Sequence, residues 1–291
     1  MRKNKTKRHT EAPVNEWRTK RLPGIACLAV VRSICLLLST GSLFSQQPAQ
    51  APKPDLNAAN NPLTPMITIN FQDQAAPLLY GSDDSSNAFL LRGVVPHLLG
   101  GLPQLFRFTL PVSTVPTGAG NAATGLGDLN VFDLFPFRVS KMELAVGPQF
   151  TFPTATQTGT GSGKWQAGLA GIAIAPRKWG LAGALVTWQH SFAGDSSRPT
   201  QNNLALQPLF IYNLKQGWYL RSTATWNFDL ARGYFVIPIG AGAGKIWILE
   251  NGVTFNLFAE PQVSIAHSGI GQPQLQLFAG LNLQFPLHTK K

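Results

Sequence analysis

The chain alternates. From Gly217 to Asp229 the even positions are Trp218, Leu220, Ser222, Ala224, Trp226 and Phe228. The odd positions are Tyr219, Arg221, Thr223, Thr225, Asn227 and Asp229. Glu143–Phe152 repeats the pattern, with Leu144, Val146, Pro148 and Phe150 set against Glu143, Ala145, Gly147, Gln149 and Thr151. In 253–266, Val253, Phe255, Leu257, Val263 and Ile265 oppose Thr254, Asn256, Glu260, Gln262 and Ser264. In 274–285, Leu275, Leu277, Leu281 and Leu283 oppose Gln274, Gln276, Asn282 and Gln284; in 104–113, Phe106, Phe108 and Leu110 oppose Arg107 and Thr109. Side chains of a strand point alternately to its two faces, so each segment is a strand between two different solvents.

Weaker strand patterns cover 66–72, 87–97, 127–138, 165–175, 179–192, 203–213 and 234–249, which brings the expected count to twelve. The linkers between them alternate longer and shorter along the chain. The short ones are turn-like, as in Glu250-Asn251-Gly252, and the long ones are rich in Gly, Thr and Ser, as at 154–164. An up-and-down meander with one tight end and one loopy end is the plan of an outer-membrane barrel, and an even count leaves both termini on the tight, periplasmic side. A soluble sandwich or lipocalin-like barrel is the competing architecture, since its strands alternate too.

Three features favour the membrane. Segments of 10–14 residues exceed the roughly 5–6 common in soluble sheets and match the roughly 9–11 that cross a bilayer at a tilt. Aromatic residues sit near strand ends (Trp165, Trp179, Trp188, Phe192, Trp218, Trp226, Phe228, Tyr234 and Trp247), where an amphipathic ring meets headgroups. The polar face carries Arg107, Glu143, Arg221, Asp229 and Glu260, which a soluble core would not bury unpaired. Only 13% of the residues are charged, well under the usual quarter. The expected fold is therefore all-β: a transmembrane, up-and-down antiparallel barrel of about twelve strands over 66–287, preceded by a signal peptide and placed in the bacterial outer membrane.

The formal charge of +11 misleads. Residues 1–45 hold nine basic and two acidic side chains, or +7, which leaves +4 for the rest. A nucleic-acid partner is not expected once that leader is removed. A basic stretch (2–21), an apolar run (Gly24–Phe44) and small residues up to Ser45 make a secretory signal over 1–45. A membrane anchor is the alternative, weakened by Arg32 inside the run. Cys27 and Cys35 fall in the leader, so the rest has no thiol for disulfides, thiolate metal sites or nucleophilic catalysis. Residues 46–65, rich in Pro, Ala, Asn and Gln, read as a disordered periplasmic tail. Residues 288–291 form a C-terminal extension.

Chemistry-bearing motifs are few. Gly240-Ala-Gly-Ala-Gly-Lys245 imitates a phosphate loop, but Ile239 and Ile246 stand where Gly and Ser or Thr belong. Its glycines are expected to clear space inside a strand. His190-Ser191 evokes an outer-membrane acyl hydrolase, yet adjacent strand residues face opposite ways, and the chain is not expected to be an enzyme. Asp83, Asp84 and Asp195 read as solvated loop carboxylates rather than a cation site. No cofactor is implied. By alternation Arg107, Glu143, Arg221, Asn227, Asp229, Asn256, Glu260 and Gln262 face the lumen. They either line a selective constriction or fill a salt-bridged, closed interior.

TGLGDLNVFDLF (124–135), WQHSFAGD (188–195), LQPLFIYNLKQGWYL (206–220) and FVIPIGAGAGKIWIL (235–249) occur in the order seen in one bacterial family. LQLFAGLNLQFPL (275–287) is similar to its final strand. The chain thus resembles, over roughly 62–287, the outer-membrane family labelled for the meta-pathway of phenol degradation, many of whose members are called neuromedin-U-like or simply transporters. The resemblance implies a porin-like β-barrel passing small, often hydrophobic or aromatic compounds. Barrels of that kind end at or near an aromatic, whereas this chain continues past Phe285. The expected function is a passive channel or facilitator. A closed structural or surface-binding barrel and an acyl hydrolase are the alternatives, and outer-membrane lipid, small solutes and the barrel-assembly machinery are the expected partners.

Overall fold

The structure, a computed structural model, describes residues 55–118 and 120–287; the expected signal (1–45), residues 46–54 and the 288–291 extension lie outside the described residues. A short helix, α1 (Leu56–Asn60), precedes β1 (Ile67–Leu79), β2 (Ser86–Leu99), β3 (Leu102–Gly118), β4 (Asn121–Leu126), β5 (Leu129–Val139) and β6 (Met142–Phe152). Then come β7 (Lys164–Arg177), β8 (Gly180–Gly194), β9 (Asn202–Asn213), β10 (Trp218–Ser222), β11 (Trp226–Asp229), β12 (Tyr234–Gly240), β13 (Gly242–Ile248), β14 (Thr254–Ser268) and β15 (Pro273–Phe285). Three of the twelve staves are interrupted, so that β4–β5, β10–β11 and β12–β13 are each one stave in two pieces. Closure is by β1 on β15, from Ile67↔Phe285 to Ala75↔Leu277, antiparallel like every other pair. A closed sheet has no edge, which is what lets strands cross lipid with their backbone groups paired.

The faces fall as the alternation demands. On β14, Val263 and Ile265 are 51% and 63% exposed, while Gln262 and Ser264, alternating with them, are 4% and 8% exposed. Exposed apolar and buried polar residues invert a soluble protein's order. The protein is a twelve-stranded, closed outer-membrane β-barrel.

Two segments depart from expectation. β1 runs to Leu79 rather than stopping near residue 72. Asp73 and Gln74 look like loop residues, yet they pair with Ala279 and Phe278 on one side and with Phe89 and Ala88 on the other. Likewise 114–126, expected as a loop, is the tip of a long hairpin in which Val115 faces Ala123. Its Thr, Gly and Ala residues lack an apolar row because this hairpin lies at the long-loop end of the barrel. β4 and β5 carry one residue more than β3 opposite them: Val112 faces Leu126 but Thr109 faces Asn130, a bulge at Gly127.

One stretch of wall lacks its ladder. Arg221 pairs with Gly242 and Asn227 with Val236, but residues 222–226 and 237–241 between them do not pair with each other. Pro238 lies in that gap and has no N–H to give. The Trp226 indole instead donates to the Pro238 carbonyl (3.0 Å).

Placing a charge on the oily face tests the fold directly. Leu281→Arg on β15 is expected to destabilise folding into phosphatidylcholine vesicles by about 2–4 kcal/mol, read as the shift of the urea midpoint of the heat-modifiable folded band.

Candidate functional site in the barrel lumen

The tight-turn end of the lumen is filled by residues 55–65. Part of the stretch expected as a disordered tail is therefore ordered here. Asp55 caps α1 by accepting from the Ala58 N–H (3.0 Å). The segment is tied to staves around the wall through amides: Asn57 donates to the Arg177 carbonyl and accepts from Asn213 (both 2.8 Å). Asn61 donates to Glu143 Oε2 (2.6 Å), Gln284 donates to the Ala59 carbonyl (2.9 Å), and Asn256 donates to Asn60 Oδ1 (3.0 Å). Ala59 and Leu63 pack against inward apolar residues of the staves. The polar composition that signals disorder in isolation supplies hydrogen-bonding groups once a polar lumen surrounds it.

Above this plug lies a cavity of about 170 Å³ with two unlike walls. One wall is polar: Asn70 and Gln72 of β1, Arg92 of β2, Asn282 and Gln284 of β15. The other is apolar: Phe132, Ile172, Leu185, Leu209 and Ile211 of β5 to β9. Further chambers of about 170, 320 and 340 Å³ adjoin it towards the long-loop end, sharing Arg92, Arg107, Thr225 and Asn227 among their lining residues.

Glu260 is wholly buried on β14, and it repairs the wall. Its Oε1 accepts from the Thr223 N–H (2.7 Å), a donor left over by the broken ladder. Its Oε2 accepts from Arg221 Nε and from the Thr223 hydroxyl (both 2.7 Å). The Arg221 guanidinium lies 3.6 Å from the centroid of Phe258 and 5.3 Å from that of Phe278. The glycines of the false phosphate loop make this possible. A Cβ on Gly240 would collide with Glu260 Oε1, and one on Gly244 would collide with the Tyr219 ring. Tyr219, buried, donates to Asn256 Oδ1 (2.5 Å).

The residues chosen by alternation distribute along the lumen. Arg107, Arg221 and Asn256 line the inner cavity. Gln262 and Asn227 line an outer chamber, and Asn227 and Asp229 line its neighbour. Asp229 also accepts from Arg232 Nε (2.5 Å) and two backbone N–H groups at the hairpin turn. Glu143 sits at the tight-turn mouth, where it pairs with Arg138 and anchors Asn61. They do not form one ring. Glu260 and Arg221 are spent on each other, and Glu143 belongs to the plug contacts.

Alternation missed three things. Arg92 escaped because apolar residues flank it on both sides (Leu90, Leu91, Val94, Val95). A lone arginine in such a strand has only the lumen to face, and that was the available signal. The inward apolar wall escaped because β7 and β8 are apolar on both faces. The plug escaped because nothing in its composition marks a docking segment.

His190 is exposed beside Trp188, while the Ser191 hydroxyl accepts from the Gln201 N–H (3.0 Å), so the pair does not meet. Among the described residues no cluster of His, Cys, Asp and Glu is arranged to hold a metal. Outside the membrane, hydrogen bonds from Ser197 hold the Asp195 carboxyl below its ordinary value.

No family model and no curated protein matches the sequence. Among solved structures, the COG4313 outer membrane channel from Pseudomonas putida F1 is similar at a TM-score of 0.57 and 15% identity, over 76% of this chain and 94% of that one. The KdgM porin is similar at a TM-score of 0.42 and 9% identity, over 76% and 99%. The first likeness shows a shared barrel fold.

Removing the carboxylate leaves Arg221 and the Thr223 N–H uncompensated. Glu260→Ala is expected to cost about 3–5 kcal/mol of stability, measured by thermal melting of the detergent-solubilised barrel; an unchanged melting temperature would show that the pair does not hold the broken staves.

Proposed function

We propose that the protein is a passive outer-membrane channel for small solutes, hydrophobic and aromatic compounds among them, narrowed by its own residues 55–65. The observation that carries this reading is the run of adjoining lumenal chambers from the long-loop end down to the plug. A salt-bridged filled interior would have no such space. The apolar wall from β5 to β9 gives a non-polar solute somewhere to lie. The ordered blocks at 124–135, 188–195, 206–220 and 235–249 support kinship with the phenol-degradation family, and the Pseudomonas putida barrel of similar fold is an outer membrane channel.

A second reading, a closed barrel acting through its outer surface, draws on the plug. Its amide contacts reach β6, β9, β14 and β15 and block the periplasmic mouth.

Planar-bilayer recording and liposome swelling across sugars, organic acids and phenols separate the two. The channel predicts small ionic steps from the intact chain, a several-fold larger conductance when residues 46–65 are deleted, and faster swelling with phenols than with sugars of similar mass. Well-folded protein that carries no current with or without the segment supports the closed barrel.

A further inference from the structure

Arg92 and Arg107 share the inner cavity without a counter-ion. Among the described residues neither makes a salt bridge to a carboxylate, whereas Arg221 in the same cavity is paired with Glu260. The Nε of each is buried with no hydrogen-bond partner. Arg92 donates once, from Nη1 to Gln72 Oε1 (2.7 Å). The Arg107 side chain makes no hydrogen bond among the described residues and stands over the Phe132 ring at 5.1 Å. Arg92 lies opposite Thr109 and Arg107 opposite Val94 on adjacent strands, so the two are diagonal neighbours, their Cα atoms about 7–8 Å apart by ladder geometry. Two like charges that line one cavity repel each other. An anion between them would satisfy both forks.

The apolar part of the lining says what else the ligand carries. Phe132, Ile172, Leu185 and Leu209 line the same cavity, with Phe132 beside Arg107 on the adjacent strand, and a free inorganic anion would gain nothing from them. The space is about 170 Å³. An apolar cavity of about 150 Å³ takes up benzene, so a ring or a short chain fits. We propose that Arg92 and Arg107 form a binding site for a small organic carboxylate: the carboxylate lies between the two guanidiniums and its apolar body, of ring size, against β5 to β9. This deepens the channel reading by naming the class of solute that the lumen prefers.

The test uses the intact mature chain, purified in a non-ionic detergent at low salt. Benzoate and its uncharged counterpart benzamide are titrated by calorimetry. The site predicts benzoate binding at least tenfold tighter than benzamide. Arg92→Gln and Arg107→Gln should each lose most of that preference, and the double variant all of it, with the folded band retained on unheated gels. Equal affinity for the two probes in the unaltered protein overturns the proposal and needs no variant to fold; so does a folded double variant that still prefers benzoate. Bilayer current is recorded on the same samples. A barrel that conducts but does not distinguish benzoate from benzamide sinks the carboxylate site and leaves the channel standing. One that prefers benzoate but carries no current keeps the site and removes the channel.

Discussion

Lipid offers no hydrogen bonds, and the rest of this structure follows from that deficit. Every backbone N–H and C=O within the hydrocarbon must find a partner in the protein. Strands can meet that demand only by closing, and β1 does so against β15 along eleven matched positions. Where the ladder fails, between 222–226 and 237–241, the deficit reappears and a side chain answers it. Glu260 reaches across from β14 to take the Thr223 N–H. A carboxylate there needs its own neutralisation, which Arg221 supplies, and it needs room, which Gly240 leaves. The glycine run, the buried ion pair and the broken staves are thus one arrangement. Its logic is backbone satisfaction rather than phosphate binding.

The same constraint explains which parts were legible from the amino acids. A wall between oil and water writes itself in period two, so the staves, their number and their facing could be read from rows such as Leu275, Leu277, Leu281 against Gln276, Asn282, Gln284. Outside the oil the rule lapses. The hairpin tip around Val115 and Ala123 is strand whose residues look like loop, because water on both sides imposes no alternation. The lumen was harder still. Alternation identifies the inward row but not whether that row is wet, so Arg107 was placed while the apolar inward side chains Phe132, Ile172 and Leu209 were not. The roles of inward residues also depend on partners distant in sequence. Glu143 and Asn61 are 82 positions apart, and Asn57 and Asn213 are 156 apart, separations no local pattern encodes.

The interior divides its charges in an instructive way. Arg221 is matched by Glu260, Asp229 by Arg232 and Glu143 by Arg138. Those pairs are absorbed by the wall, by a hairpin turn and by the mouth. Arg92 and Arg107 have no carboxylate partner among the described residues. A barrel that needed only solvation of its lumen would do as well with amides, which line the neighbouring positions at Asn70, Gln72 and Gln207. Two cations beside Phe132, Ile172, Leu185 and Leu209 make the cavity amphipathic.

The plug and the wall differ in what it costs to move them. Opening the wall between two complete staves would expose backbone groups to lipid, which cannot hydrogen-bond them, at several kcal/mol for each group. Releasing residues 55–65 exposes amides to the water of the lumen and periplasm, which replaces each lost bond. A neutral hydrogen bond of that kind contributes about 0.5–1.5 kcal/mol net. The segment is held mainly by such bonds, with Glu143 the one charged partner among those of Asn57, Asn60, Asn61 and Ala59. Its apolar anchors are small in number, chiefly Ala59 and Leu63. Displacing it is therefore far cheaper than parting two complete staves. In a fold whose wall is fixed by the absence of water, the movable element has to be the one built from groups that water can serve.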